Sequence, residues 1–279
     1  MIHPDNLVHP DLSLGEAEDY PASVVCYFGD IGKGAHFGAH RHRRAQLFHI
    51  VSGSLTLETE RGTFVVPPER AVWIPSDVSH AVTYLQNSSL RYLFFRPEAV
   101  QRLPGEASVV RLSTLLRELI HTFMEYSRDD AVGGPAKRIA DVVIDQLETV
   151  PVVPLHLPMP RSARVRRAVR ALAEDPGQPV DLSEIAGRTA LSERSFERHF
   201  QSETGLSFRA WRQQARLMKA VEWLSVGLPV GEIADRLGYE QPSAFVASFR
   251  CVGCPSEKYL AGVTPNALRK LATKALGCS

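Results

Sequence analysis

Short stretches of alternating apolar and polar side chains dominate the first third of the chain. Leu55, Leu57 and Thr59 alternate with Thr56 and Glu58, the period of two that sends successive side chains to opposite faces of a strand. Residues 22–28, 46–51, 54–59, 63–66, 71–74 and 90–95 are β-rich runs, separated by Gly, Pro, Asp and Asn, with a hairpin turn predicted at Glu60-Arg61-Gly62. Many short strands of this spacing predict an antiparallel barrel or jelly roll. From Leu112 the period lengthens. Leu115, Leu116, Leu119, Ile120 and Phe123 recur at helical spacing, as do Ile139, Val142, Val143 and Leu147 after a break at Gly133-Gly134-Pro135. Pro151, Pro154, Pro158 and Pro160 then mark a stiff extended stretch. Beyond it the pattern is helical throughout. The expected organisation is a β-domain over 1–111, a helical region over 112–150, a proline-rich linker over 151–160 and an all-α domain over 161–279.

The all-α domain holds one unit twice. Glu184-Ile185-Ala186, Leu191-Ser192, Phe196, Phe200 and Gly205 are followed by Glu232-Ile233-Ala234, Gly238-Tyr239, Phe245, Phe249 and Gly253. Each copy predicts a helix, a tight turn and a second helix, and a long helix from about Ser207 to Ser225 joins them. Asp181 and Glu184 are placed to form a capping box, Ser192 to cap the next helix, Gly205 to stop it and Pro242 to open the last one. A repeated helix-turn-helix offers two helices to successive major grooves of DNA. In the first copy Phe196 and Phe200 share an inner face, so Arg194, Glu197 and Arg198 project outward. Arginine suits guanine O6 and N7, and glutamate suits cytosine N4. The alternative is a solvated helix face with Glu/Arg pairs. In the second copy Gln241, Ser243, Ala244, Val246 and Ala247 face outward, a surface poor in hydrogen-bonding groups that suits thymine methyls and close approach. The first copy is therefore expected to carry most base discrimination. Arg209, Arg212, Arg216 and Arg250 are candidates for phosphate contacts or for ordinary solvation.

Charge divides the same way. Residues 161–279 hold 18 Lys/Arg against 12 Asp/Glu, a net of +6, whereas residues 1–160 hold 14 against 19, a net of −5. A polyanion partner suits only the C-terminal part. The four cysteines, Cys26, Cys251, Cys254 and Cys278, form no secreted-type disulfide framework. Cys251 and Cys254 have the spacing of half a zinc site but no second pair nearby. No apolar run reaches membrane-spanning length, and no signal peptide is visible, so a cytoplasmic protein is expected.

Arg216-Leu217-Met218-Lys219-Ala220, Leu224, Gly227, Ile233-Ala234, Leu237-Gly238-Tyr239, Ser243-Ala244-Phe245, Phe249-Arg250, Gly253 and Pro255 resemble the signature of the AraC/XylS family of bacterial transcription regulators, over roughly residues 161–262. The resemblance implies two helix-turn-helix subdomains on one long helix, with base contacts from the positions of Arg194, Glu197, Arg198, Gln241 and Ser243. Arg250 is added as a backbone contact. Two positions depart from it. Ala190 stands where the family often has Gly in the first turn, which strains that turn, and Cys254 replaces an apolar residue or Thr.

Gly34, His40, His42, Gln46 and Gly53 resemble the first motif of the cupin superfamily, with Gln for its usual Glu. Pro75, Asp77 and His80 resemble the second, with Asp for a Gly. In regulators of this kind such a domain implies a small effector. His40 and His42, two apart on a strand, point the same way, and His80 arrives from a neighbouring strand. The three imidazoles suit a divalent transition metal; the competing reading is a polar effector pocket or a solvated mouth beside Arg41, Arg43 and Arg44. His36 and His49 are further pocket candidates. Tyr27, Phe28, Phe37, Phe48, Phe64, Trp73, Tyr84, Tyr92, Phe94 and Phe95 are candidates for its walls, or for plain core. The expected function is a sequence-specific DNA-binding regulator, not an enzyme, controlled by an effector in the β-domain. Its expected partners are double-stranded DNA, the effector, RNA polymerase and a second copy through Leu115, Leu119 and Phe123, with no membrane. The alternative is a metal-dependent cupin enzyme fused to a DNA-binding module.

Overall fold

The computed structural model describes residues 18–127 and 130–251. The chain divides into two compact units. One comprises Met1–Thr59 with Val66–Leu155, the other Glu60–Val65 with His156–Ser279.

The strands in chain order are β1 Val24–Ile31, β2 His36–His40, β3 Ala45–Ser52, β4 Leu55–Thr59, β5 Gly62–Val66, β6 Ala71–Ile74, β7 His80–Tyr84, β8 Ser88–Phe95, β9 Ser108–Val110, β10 Val152–Val153 and β11 His156–Pro158. In the first unit a six-stranded sheet runs β1-β8-β3-β6-β9-β10. In the second sheet β7 lies between β4 and β2, antiparallel to both. Side chains of the two sheets meet in a shared core: the Phe48 ring of β3 lies 6.5 Å from that of His80, and the hydroxyls of Tyr84 and Tyr92 are 3.2 Å apart. This is the antiparallel jelly-roll-like domain that the alternation predicts. β2 has no buried side chain, so it carries no alternation and could not be read from the sequence.

Arg44, expected at a solvated mouth, is instead buried. Its guanidinium donates to the carbonyl oxygens of Tyr20, Ala22, Ser23 and Phe94, which ties the chain entering β1 to β8. Carbonyl dipoles rather than a carboxylate satisfy its two terminal nitrogens. Helices α1 (Thr114–Phe123) and α2 (Gly134–Leu147) follow and pack on one another. The Ser113 hydroxyl caps α1 by accepting from Leu116 N–H. Leu116, Ile120 and Phe123 face inward on α1, and Ala140, Val143, Ile144 and Leu147 on α2. Leu115 and Val142 are left 55% and 41% exposed.

The second unit holds α3 (Ala163–Glu174), α4 (Leu182–Arg188), α5 (Glu193–Thr204), α6 (Phe208–Ser225), α7 (Val230–Arg236) and α8 (Pro242–Cys251), with β5 paired to β11. The proline-rich stretch thus holds two short strands rather than free chain. Pro158 offers its carbonyl to the indole N–H of Trp211 on α6, 2.6 Å away. Phe196, Phe200, Phe208 and Trp211 form an aromatic core with ring centroids 5.4 to 6.3 Å apart. Burying each such ring stabilises by roughly 1.5–3 kcal/mol. Ser192 caps α5 and Gly205 ends it at a left-handed φ of 76°, as predicted, and Ser207 caps α6. The capping box at α4 does not form: Asp181 makes no side-chain cap bond, and Glu184 pairs with Arg188 at 2.6 Å. The i,i+4 ion pair competes successfully for the glutamate.

Candidate functional site

Two places in the chain concentrate chemistry. The first is the outer face of α5 and the start of α8. Phe196 and Phe200 are fully buried, which fixes the helix phase and leaves Arg194 and Arg198 exposed on the opposite side. Neither guanidinium meets a carboxylate within ion-pair distance among the described residues. Other cations of the unit do, as at Arg170–Glu174 and Arg236–Glu232. Glu197 is placed differently from its neighbours. Its carboxylate accepts from the N–H of Phe208 at 3.1 Å and so caps the first turn of α6. Gln241 and Ser243 are exposed at the start of α8. Arg250 belongs to α8, but its side chain lies outside the described residues, as do the side chain of Cys251 and all of Cys254. Arg209 is exposed, whereas Arg212 and Arg216 bond to backbone carbonyls.

The two turns differ in their chemistry. Gly238 takes φ 73° in the second copy, and its counterpart in the first, Ala190, takes φ 49°. The strain expected from Ala in place of Gly is therefore present, because a Cβ is disfavoured in the left-handed region. Asp77 likewise stands where the cupin motif has Gly and takes φ 62°, a conformation that Asp tolerates better than most residues.

The second place is the interior end of the β-domain. His40 closes β2, His80 opens β7 opposite it, and His42 lies past the end of β2 rather than on it. The expected same-strand arrangement is therefore replaced by a strand end, a loop and a facing strand. The rings still converge. One ligand nitrogen from each lies within 4.8 Å of the others, and the centroid separations are 4.3 Å for His40–His80 and 5.1 Å for His42–His80. The tautomers are set by backbone. Nδ1–H of His40 donates to Gly38 O at 2.8 Å, that of His42 to Arg44 O at 2.5 Å and that of His80 to Val78 O at 2.9 Å. A carbonyl only accepts, so in the neutral ring each Nε2 carries a lone pair. The Nε2 of His80 is buried with no partner among the described residues, and that of His42 lies 2.9 Å from Oε1 of buried Gln46. Burial above all, with the nearby His40 and His42, holds His80 down to about 4 against its bond to Val78, and burial likewise lowers His42. Burial thus favours the neutral, metal-binding form of His80 and His42.

Around them stand Phe48, Phe94 and Tyr92, with Phe94 edge-on to His42 at 5.5 Å. Tyr27 and Tyr84 extend this wall, and Phe37 packs on Tyr84. Trp73 and Phe95 pair with each other, while Phe64 and His156, both belonging to the second unit, stack on one another. His36 bonds Thr83 at the surface. His49 alternates away from Gln46 and Phe48 to the opposite face of its sheet, so neither histidine joins the cluster. The participation of Gln46 was legible from its motif position; the three carbonyls that orient the rings were not.

A paired helix-turn-helix on one connecting helix, in a chain that also carries a β-domain with an inward cluster of polar rings, defines a two-domain DNA-binding regulator. Residues 23–185 match the family described as AraC-like ligand binding domain, and residues 185–271 match the helix-turn-helix domain family. The chain belongs to the AraC family of helix-turn-helix transcriptional regulators. It is 36% identical over 226 residues to the HTH-type transcriptional regulator NimR of Escherichia coli (strain K12), covering 81% of this chain and 82% of that protein. It is 30% identical over 126 residues to the HTH-type transcriptional regulator RipA of Corynebacterium glutamicum, covering 45% of this chain and 36% of that one. Among solved structures, the unsaturated fatty acid bound ToxT of Vibrio cholerae matches 87% of this chain and 96% of its own, at 13% identity and a TM-score of 0.34. No helix among the described residues is long and apolar enough to cross a membrane.

Proposed function

We propose that the protein reads a specific DNA sequence mainly through Arg194 and Arg198 of α5, with Gln241 and Ser243 of α8, and Arg250, contributing fit and backbone contacts. The observation that carries this reading is a pair of exposed guanidinia, with no carboxylate in ion-pair reach among the described residues, on a helix whose phase is locked by Phe196 and Phe200. Glu197 supports them from beneath as the cap of α6, so its part in base reading is secondary. Replacing Arg194 and Arg198 together with Ala tests this. DNA affinity at a selected site falls by ~100-fold or more, since each bidentate guanine contact is worth about 1–3 kcal/mol. Unchanged affinity would contradict the assignment.

The β-domain is proposed to bind the small effector at His40, His42, Gln46 and His80. One observation favours a divalent transition metal as part of that site. Three Nε2 lone pairs converge while three backbone carbonyls hold the opposite nitrogens, the outer-shell pattern that orients metal-binding imidazoles. Gln46 fits the same role, since its oxygen facing the lone pair of His42 at 2.9 Å is favourable with a cation between them or with the amide turned to donate. His40, His42 and His80 would hold the ion, with Gln46 as a neutral oxygen donor, and the ion would supply a Lewis-acidic anchor for an effector. Elemental analysis of the purified protein checks this. About one equivalent of metal is expected, and its retention by His80→Ala would leave the site as a purely organic pocket. Effector and DNA must influence each other reciprocally. The exposed Leu115 and Val142 are proposed to join two copies into a homodimer. A cytoplasmic location and recruitment of RNA polymerase complete the reading, which assigns no catalytic step.

A further inference from the structure

Three polar side chains, Arg212, Gln213 and Arg216, radiate from the connecting helix. On one side Arg212 donates Nη1–H to Val180 O at 2.9 Å and Nη2–H to Gln178 O at 2.7 Å, and Arg216 donates Nε–H to Pro176 O at 3.2 Å. All three acceptors lie in the loop between α3 and α4, part of the first helix-turn-helix subdomain. On the other side Gln213 donates to the Tyr239 hydroxyl at 3.2 Å and to the Ser248 hydroxyl, and these two hydroxyls lie 2.7 Å apart. Tyr239 is in the second turn and Ser248 on α8. Arg216 spans both sides, because its guanidinium also lies 5.6 Å from the centre of the Tyr239 ring.

The clasped loop touches the second subdomain directly. A Cβ on Gly177 would sit 1.9 Å from the carbonyl oxygen of Arg236 at the end of α7, and one on Gly238 would sit 3.1 Å from Gly177 O. Two backbones meet here with no side chain between them, and Arg212 and Arg216 hold the loop in place on the far side. The joint is therefore made of short, directional bonds rather than of apolar packing alone.

We propose that Arg212, Gln213 and Arg216 are positioning residues that fix the spacing and angle of the two DNA-reading helices, so that the protein measures the distance between two base tracts as well as reading them. Arg212 and Arg216 would otherwise be taken for phosphate contacts, yet both Nη groups of Arg212 and the Nε of Arg216 are committed to backbone carbonyls inside the unit. The proposal rests on the DNA-reading function above and adds a source of specificity that no base contact supplies.

The test uses the full-length protein and the DNA site that it enriches from random-sequence duplexes. Binding is measured on that site, on the same site with one base pair inserted between its two tracts, and on unrelated DNA, each across a salt series. The variants are Arg212→Ala, Arg212→Lys and Gln213→Ala. Lysine keeps the charge but cannot serve two carbonyls with a planar fork. The expected result is a loss of about tenfold at the selected site for Arg212→Lys, the size of a lost charge-assisted bond, and of about fivefold for Gln213→Ala, whose bonds are neutral. Discrimination against the inserted base pair should shrink by a similar factor, with the salt slope unchanged. If Arg212→Ala fails to fold, which circular dichroism reports, the lysine variant decides. Full spacing discrimination in both Arg212→Lys and Gln213→Ala overturns the proposal. So does a salt slope lowered by about 0.9 in Arg212→Ala and restored in Arg212→Lys, the signature of a phosphate contact. Failure of the parent protein to enrich any site would instead remove the DNA-reading function itself.

Discussion

Single residues set the acid response and the strain of this chain. His49 is buried with both ring nitrogens unpartnered among the described residues, and burial, reinforced by Arg91 and Arg117, pushes it down to about 3. A base whose folded pKa lies below its unfolded value of 6.5 favours the native state fully above 6.5. That contribution drains away as pH falls towards 3, at up to ~1.4 kcal/mol per unit, because the unfolded chain binds the proton first. His49→Leu should flatten the dependence of unfolding free energy on pH over this window. It should also stabilise the protein near pH 7 by roughly 1 kcal/mol, since two unsatisfied polar atoms leave the interior. An unaltered slope in urea titrations would show that the proton uptake lies elsewhere. Ala190 is the second case. Its left-handed φ of 49° predicts that Ala190→Gly raises stability by about 0.5–1 kcal/mol, read as a higher melting temperature. A decrease would mean that the turn is relaxed as it stands.

Elements differ in how openly the sequence declares them. Strands with one face in a core, such as β4 and β8, announce themselves by alternation, and helices such as α5 and α6 by their apolar spacing and Ser caps. β2 is wholly exposed or half-buried, and β10 and β11 span only a few residues among prolines, so local pattern contains no trace of them; their partners elsewhere in the chain create them. The candidate sites divide likewise. Arg194 and Arg198 were legible because Phe196 and Phe200 set the helix phase. The cap made by Glu197 depends on where α6 begins in space, and the convergence of His42 with His40 depends on a loop. Helix phase also decides the dimer prediction. Phe123 is buried and serves the core of its own unit, whereas Leu115 and Val142 are free to meet a second copy. Leu115→Glu with Val142→Glu should yield a monomer by sedimentation at micromolar concentration while the fold is retained. A double variant that sediments like the parent would relocate the interface.

At the scale of the whole molecule, function requires that a β-domain with a convergent imidazole cluster and a paired helix-turn-helix share one chain. Anything bound at His40, His42 and His80 stabilises the folded state by mass action. Chelator treatment of metal-loaded protein should therefore lower the melting temperature of the parent and leave His80→Ala unchanged; equal shifts in both would place the metal elsewhere. The proposed DNA reading requires two helices to grip one duplex together. Enrichment of random-sequence DNA by the full-length protein tests this most directly. The expected outcome is a bipartite site, two base tracts about one helical turn apart, in which Arg194→Ala with Arg198→Ala erases the preference in one tract and spares the other. Enrichment of no sequence, or an identical site recovered with the double variant, would contradict it.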